Sequence, residues 1–271
     1  MMRALYTAAS GMKASQTNVD TIANNLSNVN TNGYKTTRVE FKSLLYQTIQ
    51  TKTTSANGEE KPIGAQVGLG SRVASTTTMY TQGTLNASES ATDFALEGDG
   101  FFAIRGVDGE TYYTRNGNFT WAVDAAGNTL LTDVEGCPVL DRNGNAIYVP
   151  EGITAESMIF AQSGEISYRL ADGTVVDLNQ AFGIYQFSNP SGLEKLSYSR
   201  LQQTDASGQA ILEGAMGTTP SKVCQYFLEG SNVQVAEEMV NMIITQRAYE
   251  LNSKAIQTAD AMLQTANELK R

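Results

Sequence analysis

Catalysis and metal binding need particular side chains at particular spacings, and histidine, the most versatile of them, is absent from all 271 residues. Without it no Ser-His-Asp triad, Cys-His pair or His-based zinc site can be built. Carboxylate, lysine or tyrosine chemistry, or a bound cofactor, would have to do the work instead. Glu237 and Glu238 form the obvious carboxylate pair, but adjacent residues do not share a helix face, and acidic residues near a helix start favour its dipole. Gly98-Asp99-Gly100-Phe101-Phe102-Ala103 spells the G-x-G-x-x-A of a dinucleotide-binding turn. A working turn of that kind must open a helix whose N-terminus holds the pyrophosphate. Here FFAIR reads as a strand that reaches a turn at Gly106, so the glycines permit a bend and Phe101 and Phe102 pack on opposite faces. Asp141-Arg142-Asn143-Gly144-Asn145 starts like a calcium loop, yet Ala146 and Gly152 stand where that loop needs Gly and Glu, leaving a hairpin turn. Cys137 and Cys224 lie in no metal-ligand spacing and read as unpaired, partly buried thiols rather than a disulfide. Tyr112, Tyr113, Phe119 and Trp121 could form a sugar-binding platform, although aromatics in strands usually fill a core. The expectation is no enzyme, with no catalytic residue, cofactor or metal.

The charge balance narrows the partners. Nineteen basic against 28 acidic residues give a net charge of −9, a poor match for nucleic acid, which needs a basic face, or for an anionic membrane surface. With 41% hydrophobic residues the chain can fill a core and is not a disordered one. No segment approaches the roughly 20 apolar residues of a membrane helix. The opening MMRALYTAASGMKASQTNVD lacks the apolar run and cleavage site of a secretory signal, so the chain is expected to stay in the cytoplasm or leave by a route without a cleaved signal.

The elements that would position these residues change character along the chain. Leu5, Met12, Val19 and Leu26 stand seven apart, and Ala8, Ser15, Ile22 and Val29 follow each of them by three, an a/d seam broken only at Ser15. This predicts a helix over residues 3–29 that exits through the asparagine-rich stretch ending at Asn32-Gly33. Asn24 and Asn25 precede that exit, where their amides either fix register between packed helices or simply solvate a helix end. VEFKSLLYQTI, residues 39–49, can pack as an extended or helical arm, and the Thr- and Gly-rich residues 50–70 read as an extended linker or loop. From about residue 72 to 229, short apolar runs alternate with turns such as Asp108-Gly109, Asn116-Gly117 and Asn143-Gly144, predicting an antiparallel all-β domain, a sandwich or an irregular barrel. A capping box of Ser231 and Gln234 is expected to open a last helix. Its stripe includes Val240, Ile244, Ala248, Leu251, Ala255, Met262 and Leu269, with Glu250 and Lys254 as a supporting pair on the polar side.

The fold class expected is therefore α+β multidomain: terminal helices paired as a coiled-coil-like α domain, with a central antiparallel all-β domain. The domain limits are residues 1–45 together with 230–271, a linker at 46–71, and 72–229. A two-helix pair leaves apolar surface uncovered, and other subunits are the expected cover. A surface that meets a different surface on the next copy propagates as a ring or helical filament. The assembly interface is expected at Leu5, Met12, Val19, Ile22, Asn24, Asn25 and Leu26, and at the seven stripe residues of the last helix. The competing reading is an envelope hydrolase or glycan-binding β domain with helical tethers.

Three stretches resemble a known family. TIANNLSNVNTNGYKTTRVEF (21–41) carries an ANNL-x-NVNT-x-G-aromatic-K signature, with Tyr34 for the usual Phe and Ser27 for a frequent Ala. LEGDGFFAIRGVDGETYYTRNGNF (96–119) carries GFF and YTR-x-G-x-F, and EGSNVQVAEEMVNMIITQRAYELNSKAIQTADAML (229–263) carries SNV and QRAYE. Together they resemble the bacterial flagellar rod and hook proteins, end to end, with distal rod subunits as the nearest pattern and proximal rod subunits as the alternative. The resemblance implies a structural subunit exported unfolded through the flagellar type III apparatus, without a cleaved signal. It would reside in the basal body outside the cytoplasmic membrane, in the periplasm or cell wall. It implies a helical homopolymer around a central channel that transmits torque, with the helices as inner layer and the β domain as outer. The linker would stiffen the tube. Implied partners are copies of itself, proximal rod proteins, the hook or hook-junction protein, the export apparatus and, where an outer membrane exists, ring bushing proteins.

Overall fold

The computed structural model describes residues 2–50, 65–124, 127–150, 153, 157–170, 172–214 and 219–269. The chain divides into two compact units, each assembled from separated stretches. A helical unit takes Met1–Ser27, Thr37–Thr78 and Gln234–Arg271, and a strand-rich unit takes Asn28–Thr36 and Met79–Val233.

In the helical unit, α1 (Met2–Ser27) packs against α2 (Val235–Glu268). At 1.5 Å per residue the two extend about 39 and about 51 Å. The strand Thr37–Ser43 pairs antiparallel with Ser71–Thr78, with a bulge between Glu40 and Phe41. Beyond it, Tyr46–Gln50 pairs antiparallel with Ala65–Gly68, so the stretch read as a linker carries a paired strand at each end. Residues 51–64 of that stretch lie outside the described residues.

The seam between the helices is built from small and polar residues at heptad spacing. Gly11, Asn18 and Asn25 on α1 meet Asn252, Thr245 and Glu238 on α2, an antiparallel ladder with one rung every seven residues. A Cβ on Gly11 would lie 2.8 Å from Asn252 Nδ2, so only glycine fits that rung without a shift. Asn18 Nδ2 donates to Thr245 Oγ1 at 2.9 Å. Asn25, 1% exposed, donates from Nδ2 to the Thr37 carbonyl (2.9 Å) and to Glu238 Oε1 (3.4 Å), while its Oδ1 accepts from the Thr37 N–H (3.0 Å). Ala14 and Ile22 are buried between these rungs, and Ala8 on α1 and Ala259 on α2 are buried beyond the Gly11–Asn252 rung. Of the two asparagines at the helix exit, Asn25 sets register and Asn24 faces solvent.

Two expected features at α2 are replaced. The capping box does not form: α2 begins at Val235, Gln234 is the N-cap without a side-chain cap bond, and Ser231 Oγ accepts from the Val233 N–H instead. The cause lies upstream, where Asn232 is tied to Thr36 and Val233 is buried, which keeps the chain extended until residue 234. Glu250 is engaged by Arg247 at 2.7 Å in place of the expected Lys254.

All strand pairs of the second unit are antiparallel among the described residues. Its largest sheet has six strands in the order Glu194–Lys195, Arg200–Gln202, Thr111–Thr114, Phe101–Arg105, Ile184–Gln186 and Ile211–Leu212. The Phe101–Arg105 strand is covered on both faces. Phe102 and Ile104 join Phe94, Leu96, Phe119, Leu131 and Phe182 in one core, and Phe101 and Ala103 join Tyr113, Leu140, Phe187 and Leu201 in another. Gly98 takes φ +137 just before it, giving the bend that the glycine pattern predicts in place of a nucleotide turn. Asp141 is satisfied by its own loop, accepting from the Asn143 and Asn145 N–H groups at 2.9 and 2.7 Å in a hairpin turn. Tyr112 and Phe119 belong to the first core with Trp121 packed against it, and Tyr113 to the second, so these aromatics do not make a sugar platform. Cys137 and Cys224 are both free thiols.

The Glu238 rung makes the helical unit pH-dependent. Burial pushes the Glu238 carboxyl above its ordinary 4.5, and the Asn25 amide opposes that only in part. The folded form therefore holds its proton to higher pH than the unfolded chain, so stability declines as pH rises from 4.5 through the raised value. Glu238→Gln keeps an acceptor for Asn25 and should flatten this decline, melting higher than the parent at neutral pH. Thermal melts followed by circular dichroism at mildly acidic and neutral pH check it; an unchanged slope in the variant would place the dependence elsewhere.

Candidate assembly interface

Three separated stretches of sequence meet at one buried carboxylate. Glu229 ends the strand Phe227–Glu229, and its side chain is 0% exposed. Lys35 Nζ reaches Glu229 Oε1 at 2.6 Å and Arg115 Nη1 reaches Oε2 at 3.2 Å, both cations also buried. The Gly83 N–H adds a third donor to Oε1 at 2.9 Å. Lys35 donates onward to the Thr81 carbonyl (2.8 Å), and Arg115 to the Gly98 carbonyl while its guanidinium lies over the Phe101 ring at 5.2 Å. Burial lowers the pKa of Lys35 and of Arg115, and the Glu229 carboxylate is what pulls each back up. Desolvating three charges costs several kcal/mol per ion, and their mutual pairing with hydrogen bonds to backbone groups is what offsets it.

The same cluster clamps the segment that follows α1. The Gly33 N–H donates to the Glu229 carbonyl at 2.8 Å, at φ +69 and with so little space that a Cβ would lie 2.7 Å from the Asn116 nitrogen. Asn232 Oδ1 accepts from both the backbone N–H and the hydroxyl of Thr36, each at 2.7 Å, while its amide donates to the Met79 carbonyl at 2.8 Å. Residues 28–36 are thereby fixed to residues 229–232 by charge, glycine geometry and one asparagine.

Removing the anion alone would leave two cations buried side by side. Glu229→Gln should cost about 3–5 kcal/mol of stability. Denaturant unfolding monitored by the fluorescence of the single tryptophan, Trp121, measures it, and a loss under about 1 kcal/mol would mean that water or other groups already carry these charges.

The residues expected at an assembly interface fall into three environments. Ile22 and Asn25 lie in the helix seam; Leu5, Met12, Val19 and Leu26 on α1 and Ala248 on α2 are half-buried; Asn24, Val240, Ile244, Leu251, Ala255, Met262 and Leu269 are exposed. Apart from Asn24, the exposed set is the apolar stripe of the last helix, and it lies roughly a third of a turn around α2 from the Glu238–Thr245–Asn252 face. Val240, Ile244, Leu251 and Met262 remain 56%, 60%, 67% and 57% exposed. Phe41, Leu45, Tyr46 and Ile49 on the strand arm are also exposed. Apolar periodicity placed Ala8 and Ile22 in the seam but passed over most of its polar rungs. The signal that carries them is the second heptad, Gly11, Asn18, Asn25 and Glu238, Thr245, Asn252, which an apolar template skips. The buried charges Lys35, Arg115 and Glu229 were also missed, because nothing in their local spacing links residues so far apart.

Among the described residues no group of three or more metal-type ligands occurs, and no helix is long and apolar enough to cross a membrane. Three family profiles match in order: "Flagella basal body rod protein" over residues 5–35, "Flagellar hook protein FlgE/F/G D1 domain" over 95–168, and "Flagellar basal body rod FlgEFG protein C-terminal" over 225–269. Lys35, Arg115 and Glu229 fall one in each. The chain is 45% identical to the flagellar basal-body rod protein FlgG of Borreliella burgdorferi over 275 residues, covering 100% of both. It is 40% identical to that of Agrobacterium fabrum, covering 96% of this chain and 97% of the relative, and 38% identical to that of Bacillus subtilis over the full length of both. This chain belongs to the flagellar basal-body rod protein FlgG family, as a structural and non-enzymatic subunit of the distal rod.

Proposed function

We propose that the chain polymerises with copies of itself into a helical tube that carries torque from motor to hook, and that the α1–α2 pair is its assembling part. The observation that carries this is the α2 stripe. A helix already packed along one face still exposes Val240, Ile244, Leu251 and Met262 along another, with Phe41, Leu45, Tyr46 and Ile49 on the strand arm beside the helices in sequence and unit. With roughly half of each stripe side chain left to bury, covering one contributes about 1 kcal/mol. Such contacts are weak singly and sufficient when repeated on every subunit, which suits a shaft that shares its load. The α1 residues Leu5, Met12, Val19 and Leu26 border the same surface in this reading, and Asn24, Ala248, Ala255 and Leu269 extend it.

The distal assignment rests on full-length relatives that carry the FlgG name, where a proximal rod subunit was the alternative. The neighbours would be proximal rod proteins on one side and the hook or hook-junction protein on the other, with ring bushing proteins where an outer membrane exists. The subunit would leave the cell through the flagellar export apparatus without a cleaved signal, and reside in the basal body outside the cytoplasmic membrane. Nucleic acid and small-molecule substrates have no place in it.

Leu251→Glu together with Met262→Glu places charge on the stripe while keeping good helix formers. The purified variant should melt as the parent does, whereas basal bodies from cells carrying it should show a rod that stops short and bears no hook in electron micrographs. A complete rod and hook would remove the stripe from the interface. A second expectation concerns residues 46–71 as a stiffening segment: deleting residues 50–70 should give tubes that still assemble but bend more, seen as greater curvature in micrographs. Straight tubes from the deletion variant would show that stiffness arises elsewhere.

A further inference from the structure

The strand-rich unit contains a cleft of about 300 Å³ that the assembly reading does not use. Its lining includes Lys35, Arg115, Lys195 and Arg200, and among the described residues no carboxylate lines it. Tyr34, Tyr80 and Tyr198 supply aromatic walls, with Leu196 and Leu201 beside them.

Its polar groups are incompletely used. The Arg115 Nε–H, the Arg200 Nε–H and the Tyr80 hydroxyl are all buried, and none has a hydrogen-bond partner. Arg115 is 3% exposed, and its terminal nitrogens are spent on Glu229 and backbone carbonyls, which leaves Nε as the spare donor. Arg200 spends Nη2 on Glu135 at 2.8 Å, and its Nε stands 4.0 Å from Asp133 Oδ2, too far for a hydrogen bond. Burial pushes the Tyr80 hydroxyl up to about 12, so it keeps its proton and can donate. A buried donor without an acceptor costs about 1–3 kcal/mol, and two guanidinium donors and a phenol in one cleft set that cost against a missing acceptor. The rim adds backbone strain: Tyr198 and Ser199, both lining the cleft, hold φ of 61 and 60, a region that non-glycine residues seldom occupy.

We propose that this cleft is a carboxylate-binding site, filled in the polymer by an acidic side chain of a second copy of this chain. The chemistry follows from the lining: four cationic residues and no carboxylate stand among its described residues, with the neutral Asn28, Thr31 and Ser199 beside them, so the group favoured is an acceptor, preferably an anionic one. The volume is larger than one water needs, and the tyrosine rings with Leu196 and Leu201 give it apolar surface beside the cations, which fits a carboxylate carried on a methylene stem. A second copy is favoured by charge. Each chain carries 28 acidic against 19 basic residues, so a cleft with four cationic residues in its lining meets a neighbour of opposite net charge, −9. The contact joins unlike surfaces, as a polymer that grows without closing requires. The choice of a second copy rests on the assembly reading above; the choice of a carboxylate does not.

The test uses the full chain and two small probes, glutamate and glutamine blocked as N-acetyl N-methylamides. Blocked glutamate should shift the amide resonances of residues 196–201 on titration, while blocked glutamine should not. Tyr80→Phe and Arg200→Lys, each checked for an unchanged melt, should each weaken that binding about tenfold, the effect of losing one charge-assisted hydrogen bond. Equal binding of both probes, or of neither, overturns the carboxylate site. For the source, blocked glutamate should slow polymerisation followed by light scattering, and the two variants should polymerise poorly. Binding that leaves polymerisation unchanged assigns the cleft to a free acid and overturns the second copy as occupant. A chain that forms no polymer under any condition overturns the assembly reading and the second copy with it, while the binding titration still decides the carboxylate.

Discussion

A carboxylate removed from water is among the most demanding groups a protein can hold, and the strand-rich unit is organised around one. Glu229 is completely buried, and its two oxygens are answered by Lys35, Arg115 and a backbone amide. Each answering group comes from a different part of the chain, so the carboxylate can be satisfied only when the segment after α1, the Thr111–Thr114 hairpin edge and the strand before α2 have all arrived. The value of such a cluster lies less in net stabilisation, which a well-packed apolar trio could match, than in the penalty it imposes on every alternative arrangement. Gly33 and Asn232 narrow the choice further, one by a backbone geometry that excludes a side chain and the other by two acceptor bonds to a single threonine.

The helical unit solves a different problem. Two long helices that hid their most apolar faces against each other would have little left with which to hold neighbours. Here the assignment is reversed: the intramolecular seam uses Gly11, Asn18 and Asn25 against Asn252, Thr245 and Glu238, while Val240, Ile244, Leu251 and Met262 stay outside. Polar rungs disfavour slippage, because a shift by one heptad leaves either the Glu238 carboxylate or the Asn25 and Asn252 amides without their partners across the seam. Register is thus set by polar groups, and the most apolar surface of α2 is left outside the seam.

How much of this could be read from the sequence depended on distance along the chain. Local signals were reliable: the heptads predicted α1 and α2, the Gly-containing turns predicted an antiparallel β region, and the mismatch of Ala146 and Gly152 with a calcium loop led to the hairpin turn that Asp141 makes. The bend at Gly98 and the opposite facing of Phe101 and Phe102 follow from a two-residue period that any strand obeys. What failed depended on tertiary context. Ser231 and Gln234 have the letters of a capping box, but Asn232 is committed elsewhere. The apolar stripe of α2 was legible, yet which face meets α1 was not, since periodicity ranks faces by hydrophobicity and the seam is the less hydrophobic one. Lys35, Arg115 and Glu229 each look like ordinary surface charges until the fold brings them together.

The separation in sequence between Lys35 and Glu229, 194 residues, also has a kinetic side. A chain emerging from its N-terminus presents Lys35 and Arg115 long before Glu229, the carboxylate that both contact, and the α1 rungs wait still longer for Thr245 and Asn252. Closing loops of this size carries an entropic cost that must be met before any native contact rewards it, which makes topologies of high contact order slow to fold. The interactions that lock both units are therefore withheld until residues 229–252 are available.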